Sequence, residues 1–438
     1  MSSPPPYHAE TGCPLLDALP FELLQEVGAR VAAKEERLRW RLCARQLLAA
    51  SDASNTSLRL GAAPPSSEAV LGAAPPSSEA VLGAAPPSSE AVMRLVRRTP
   101  RLATLDVAAW WEALDWRAVL SAAAGSLREL HVPPHDHRTR PDRDGTALRV
   151  IGETCGATLR SLRVGIPDSG DLSRLGACTA LQDLRMEGIA VTSVAPLAAC
   201  KALRRLEFSI TGGRGAEAVD LAPLAACTAL EHLDLGSLWQ QSLAPLASCT
   251  ALKRVGVSHN GAVDLAPLDA CTALEDLSVS NCGAVDLAPL AACKALQKLD
   301  VSNSPVADLG PLAACTALLK LDVSNTGVAD LAPLAACTAL QKLDVSHNRV
   351  ADLAPLAACT ALLNLDVSHN RVVWLAPLAA CKALRYVDLS HNYGVTGLAA
   401  LDACTALDLL YAFGFGRRLR AAVARFERLH PDCDVSCD

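Results

Sequence analysis

Large aromatic side chains are nearly absent from this sequence: 438 residues hold five Phe, four Tyr and six Trp, with only three Met beside them. A chain of this length would ordinarily form about three domains of roughly 150 residues, and separate cores of that size lean on aromatic anchors. Yet 51% of the residues are hydrophobic, so the apolar mass is Leu, Ala, Val and Cys. Such small and branched side chains suit one thin unit repeated many times. A basic excess is missing too: 40 Lys and Arg face 46 Asp and Glu, a net charge of −6. Nucleic-acid binders carry a basic footprint, so no nucleic acid is expected as a partner. No apolar run reaches the roughly 18 residues of a membrane span, because charges or prolines interrupt each one, and no membrane role is expected. The opening MSSPPPYHAETG lacks the basic and apolar regions of a secretory leader. A cytoplasmic chain is the expectation, with the nucleus as the other compartment.

What the sequence does have is 17 cysteines. An odd number in a long chain without a leader argues against a disulfide scaffold. Eleven of them recur at one position: Cys178, Cys200, Cys227, Cys249, Cys271, Cys293, Cys315, Cys337, Cys359, Cys381 and Cys404, each three residues before a Leu. No C-x-x-C pair offers converging metal ligands. A buried column of free thiols, acting as small hydrophobes, is expected.

Those cysteines mark a repeat. Its cleanest copy runs LQKLDVSHNRVADLAPLAACTA from Leu340 to Ala361. Copies open at Leu159, Leu181, Leu203, Leu230, Leu252, Leu274, Leu296, Leu318, Leu340, Leu362 and Leu384, with a Gly-rich insert around Gly212 and Gly213. Weaker copies open at Leu102, Leu127 and Leu407, for about 14 in all. In each, Leu343 and Val345 alternate with Lys342, Asp344 and Ser346, the period of a half-buried strand. Leu353, Leu356, Cys359 and Leu362 then share the inward face of a short helical return, with Asp352 placed as its N-cap and Pro355 in its first turn. A unit this thin buries its apolar face only against its neighbours.

The residues Leu340, Leu343, Val345, Asn348 and Val350 match L-x-x-L-x-L-x-x-N-x-L, and the sequence resembles the leucine-rich-repeat family. The 22-residue unit and its D-L-x-P-L continuation look most like the internalin type, and similar arrays occur in trypanosomatid proteins. The resemblance implies an α/β solenoid, a horseshoe with a parallel concave sheet and short helical returns. The Asn position is held by Asn260, Asn348, Asn370 and Asn392 but becomes Cys282, Ser304, Thr326 and Leu238 elsewhere. Ser and Thr offer fewer hydrogen bonds, and a looser turn is expected at Leu238.

Ahead of the array, residues 1–14 read as disordered and 15–50 as helical. Within 51–93, LGAAPPSSEAV occurs three times unchanged from Leu60; its paired prolines defeat an 11-residue coiled coil, leaving a mobile spacer. In 15–50, Leu19, Pro20, Glu22, Leu23, Leu24 and Val27, then Leu38, Arg39, Leu42 and Cys43, resemble an F-box, although Gln46 stands where that motif usually has Trp. The resemblance implies docking to a Skp-type adaptor of a cullin–RING ubiquitin ligase through Leu19, Pro20, Leu23, Leu24, Val27, Leu42 and Cys43. The plainer alternative is an amphipathic helical pair. Residues 94–413 are read as the solenoid and 414–438 as a C-terminal cap, helical from Arg417 to Leu429.

On the expected concave face Lys298, Lys320 and Lys342 form one column, and Asp300, Asp322, Asp344, Asp366 and Asp388 the next, followed by a Ser column. These are either a striped ligand surface or a solvated face whose charges are screened. Earlier copies carry a more varied set, Arg163, Arg185, Arg205, Glu207, His232 and Arg254, where a specific partner is sought first. The S-H-N triplets at His259, His347, His369 and His391 and the His/Asp-rich loop 133–145 are weighed as catalytic or metal sites, but repetition argues against a single active site. The aromatics at Trp110, Trp111, Trp116, Tyr411, Phe413 and Phe415 are read as closing the array's ends. The expected protein is a non-enzymatic monomer without metal or cofactor. It binds a protein on its concave face and recruits it to a ubiquitin ligase; a plain binding scaffold is the alternative.

Overall fold

The computed structural model describes residues 57–60, 79–82, 93, 96–97, 101–106, 115–132, 146–165, 172–187, 191, 193–209, 219–236, 242–414 and 420–437. They divide into two units, one of residues 1–167 with 177–181 and the other of 168–176 with 182–438. The F-box-like residues, the loop 133–145, Trp110, Trp111, Phe415 and Leu238 lie outside the described residues.

Each of the 14 expected copies has its strand, opening two residues after the copy's first Leu, from Thr104–Asp106 to Leu409–Ala412. The architecture is the expected α/β solenoid: parallel strands paired in register with short helical returns, as Lys320, Leu321 and Asp322 pair with Lys342, Leu343 and Asp344. Alternation buries the second residue of each of these strands. Leu343 is 2% exposed and Leu365 fully covered, while Asp344 and Asp366 on either side stay partly exposed.

The returns of the second unit are 3₁₀ turns, such as Ala354–Ala358. The strict three-residue spacing of Leu353, Leu356, Cys359 and Leu362 explains this, because a 3₁₀ turn stacks residues i and i+3 on one line whereas an α-helix would rotate successive ones off it. Asp352, expected as the N-cap, stands one position ahead of it: Leu353 occupies the cap, and Asp352 still accepts the Ala354 N–H at 2.8 Å. In the first unit, the longer copies opening at Leu102 and Leu127 accommodate α-helices instead, Trp116–Ala123 and Thr146–Cys155.

The eleven-cysteine column is fully buried and free of disulfides. Thiols reach the carbonyl of a Leu one turn back, Cys381 to Leu356 at 3.2 Å and Cys359 to Leu334 at 3.4 Å. Burial pushes these thiols up, to about 11 for Cys249, Cys293, Cys359 and Cys381, so the reactive thiolate is scarce.

The Asn column works as expected. Asn348 Nδ2 donates to the carbonyls of Val323, Val345 and Ser346 at 2.7, 3.0 and 3.1 Å, and its Oδ1 accepts the N–H groups of Thr326, Gly327 and Val328. Ser304 in the same place donates to Val279 O and accepts from Cys282 N, both at 2.9 Å.

Two differences stand out at the ends. Inside the segment read as a spacer, Ser57–Leu60 and Glu79–Leu82 are strands, and the first pairs in parallel with both the second and Thr104–Asp106. They start 22 residues apart, two 11-residue copies making one repeat length. At the other end, the segment read as a cap holds a helix from Arg420 to Leu429, its Arg425 paired with Asp402 at 2.6 Å. It is followed by a strand, Asp434–Cys437, that adds in parallel to Leu409–Ala412. The aromatics only partly close the ends: Trp116 and Phe426 are buried, but Tyr411 and Phe413 lie half-buried on the sheet face.

Candidate partner-binding face

Outward strand positions form columns because identical residues sit in register, one strand spacing of about 4.8 Å apart. In the first unit Arg163 stands beside His131. In the early copies of the second unit part of the varied set forms two ion-pair groups, one on Arg185 and one on Arg254. Arg185 contacts Asp183 through Nε and Nη2 at 3.2 and 3.3 Å and reaches Glu207 at 3.3 Å; the Asp183 hydrogen bond raises the guanidinium's affinity for its proton. Arg205 lies in register between Asp183 and His232. His232 is held below the ordinary imidazole range by burial, then by Arg205 and Arg254. Arg254 pairs with Asp276 at 3.0 Å, and Lys298 approaches the same carboxylate at 3.6 Å. Asp276 was not singled out in the sequence; its place at the outward position preceding Leu277 is the signal that finds it.

The middle and late carboxylates behave differently. Among the described residues Asp300, Asp322, Asp344, Asp366 and Asp388 form no ion pair, Lys320 and Lys342 included; each turns one oxygen to the Ser N–H two residues on, at 2.8–3.0 Å. Burial, opposed by the Ser hydrogen bonds and reinforced by flanking Asp carboxylates, raises Asp322 and Asp366 above the usual carboxylate range.

The S-H-N histidines have a backbone role. His259, His347, His369 and His391, like Asn281, Asn303 and Asn325 in the other copies, adopt φ of +52° to +60°, the left-handed region in which Asn and His are enriched. His347, His369 and His391 then stack, with centroids 4.1 Å apart at both steps. Burial, then His347 and His391, lowers the His369 imidazole.

In the late copies the sequence reading names Asp366 and Asp388 but not Trp374, Tyr386 or Tyr393. Trp374 occupies the place of the capping Asp352 and is 70% exposed; Tyr393 is 78% exposed. Tyr386 falls in the lysine column and Tyr411 in the aspartate column. The signal was available: Trp374 breaks the run Asp264, Asp286, Asp308, Asp330 and Asp352, and Tyr411 the run of aspartates from Asp300 to Asp388.

No family model matches the chain, and no curated protein matches its sequence. Among solved structures, an internalin of Listeria monocytogenes superposes with a TM-score of 0.53 at 20% identity, covering 69% of this chain and 99% of its own. A Leptospira interrogans leucine-rich-repeat protein gives 0.42 at 14% identity over 70% of this chain and 95% of its own. The functional domain of Listeria InlJ gives 0.46 at 17% over 62% and 64%. No described helix is long and apolar enough to cross a membrane, and no described His, Cys, Asp and Glu group could hold a metal. The in-register parallel strands, the 3₁₀ returns and the likeness to the internalin structure make this fold a leucine-rich-repeat solenoid.

Proposed function

We propose that the chain is a protein-binding scaffold whose partner rests on the outward face of the strands. The observation that carries this reading is the contrast across each strand: one side is sealed to 0–2% exposure at Leu343 and Leu365, while Asp344 and Asp366 on the other stay partly exposed, column after column. A surface of regular, separately substitutable positions on a rigid support suits recognition better than chemistry. The Arg185–Glu207 and Arg254–Asp276 ion-pair groups are the varied part of that face and the first place for a specific contact. Affinity purification with the full chain, followed by mass spectrometry, tests it. Charge reversal at Arg185, Arg205 and Arg254 is expected to remove a captured protein; an unchanged set of captured proteins with these variants and with Asp344→Lys plus Asp366→Lys would sink the reading.

The finer reading is recruitment of that partner to a cullin–RING ubiquitin ligase. The F-box-like residues 15–50 support it, and its mechanism is effective concentration. Co-precipitation with a Skp-type adaptor is expected for the full chain and lost with Leu19→Asp plus Leu23→Asp. Undiminished adaptor binding by that variant, or none by the unaltered chain, leaves the scaffold without a ubiquitin link.

A further inference from the structure

The outward columns change character in the last copies of the second unit. Through Leu340 each aspartate of the column follows a lysine on its own strand: Lys298 and Asp300, Lys320 and Asp322, Lys342 and Asp344. From Leu362 onward the lysine position holds Asn364 and then Tyr386, while the carboxylates continue as Asp366 and Asp388. The register next sets Tyr411 beside Asp388. Tyr386 and Tyr411 meet edge to face with centroids 5.8 Å apart, and Tyr411 stacks on Phe413 at 5.9 Å. The rings and carboxylates are all half-buried on the same face, and neither carboxylate has a cationic partner among the described residues.

Five carboxylates in a row would attract any cation weakly. What singles out the last two is the ring beside them. An aromatic face attracts a cation, Arg most often, and the attraction grows as water is excluded; a carboxylate alongside neutralises the same charge. The site is short of positive charge: burial and then Asp388 and Asp366 push the Tyr386 phenol up to about 12. Beyond the strand ends large apolar side chains are exposed beside Arg371: the His391–Tyr393 ring contact at 6.2 Å leads to the exposed Tyr393, Trp374 and Val373. A partner that also covers those side chains needs apolar groups of its own, which a polypeptide has and a small polyamine lacks.

We propose that Asp366 and Asp388, with Tyr386, Tyr411 and Phe413, form a docking site for an extended basic segment of a protein. An Arg or Lys side chain of that segment lies over the tyrosine rings with its charge on the carboxylates, and neighbouring apolar side chains reach Trp374 and Tyr393. This rests on the reading of the sheet face as a binding surface and names the chemistry of the partner.

The test is fluorescence anisotropy of the full chain with a labelled Arg-Leu-Arg-Leu-Arg-Leu peptide, its Glu-Leu counterpart as control, and spermine as competitor. Saturable binding of the basic probe alone is expected. Tyr386→Ala with Tyr411→Ala should weaken it roughly tenfold, and so should the isosteric pair Asp366→Asn with Asp388→Asn, which keeps the proposal testable if the tyrosine variant does not fold. Asp300→Asn with Asp322→Asn should change it less than about twofold, since those carboxylates have no ring beside them. No binding of the basic probe, equal binding of the acidic one, equal loss from both aspartate pairs, or full displacement by equimolar spermine would overturn the proposal. A protein captured through the Arg185–Arg254 copies while the basic probe fails leaves the scaffold reading intact and removes this one alone.

Discussion

The middle copies, opening at Leu296, Leu318 and Leu340, and the last ones, opening at Leu362, Leu384 and Leu407, share a backbone and differ on their surface. The copies opening at Leu362 and Leu384 bury the same Leu, Val and Cys positions as the middle ones and make the same 3₁₀ returns, whereas the strand of the copy opening at Leu407 is followed by the helix Arg420–Leu429. In the middle copies the outward columns are duplicates, Lys over Lys and Asp over Asp. In the last ones aromatic residues replace the lysine at Tyr386 and the capping aspartate at Trp374. Duplication preserves the core, because every inward side chain must fit the turn above and below. It leaves the outward face free to diverge, and the divergence marks where recognition is to be sought.

If the cores are equivalent, Leu343→Ala and Leu365→Ala should each cost roughly 2–5 kcal/mol through the void they open, by about the same amount in urea denaturation. A difference of more than about half that range would mean the copies are not energetically alike despite their common backbone. Asn348→Ala should cost about 3 kcal/mol because it strands three carbonyls and three amides, whereas Ser304→Ala should cost about 1 kcal/mol. Equal losses would show that the column's amide network adds nothing beyond a single hydroxyl.

Trp374 provides the sharpest contrast. Asp220, Asp264, Asp286, Asp308, Asp330 and Asp352 each accept an N–H of the following 3₁₀ turn; Trp374 gives that bond up. Restoring it with Trp374→Asp should raise stability by about 1 kcal/mol while weakening the basic probe. Gain of stability with loss of binding is the signature of a residue kept for function. A variant no more stable than the parent would show that the indole packs as well as the cap holds.

The smallest effect is on pH. His369 is held below its ordinary value by burial and by His347 and His391, with Asp388 opposing them. The unfolded imidazole, near 6.5, therefore binds a proton more readily than the folded one. Stability is fully present above about pH 6.5 and declines as pH falls through the lower folded value. Asp322 and Asp366 are shifted upward and act in the opposite sense, their contribution being complete below about 4 and lost as pH rises through their raised values. His369→Asn, which suits the left-handed backbone as Asn325 does, should flatten the decline between pH 6.5 and 5 in urea midpoints. An unaltered profile would exclude the imidazole stack as its source.

Much of the fold was legible because it is written locally. Leu343 and Val345 alternate, Cys359 recurs three residues before Leu362, and Asn348 falls where a side-chain amide must satisfy adjacent turns. The 3₁₀ character was also present in the three-residue spacing of Leu353, Leu356 and Cys359, though it was read only as helical. The candidate face was less legible. Arg185, Glu207 and Arg254 were identified, but their grouping depends on Asp183 and Asp276, which drew no attention singly. Tyr411 reads from the sequence as closing an end. Its place beside Asp388 depends on the last copy opening 23 residues after Leu384 rather than 22.

By itself, then, the sequence determined the repeat, its fourteen strands and the chemistry of its interior, since each inward residue answers to the period of its own copy. Only the tertiary structure decided which outward residues became neighbours. Strand register brings together the three stacked imidazoles, the carboxylates without cations and the row of rings from residues that lie 22 to 25 positions apart along the chain. Contact between copies is set by how their backbones pair, not by what any one copy contains.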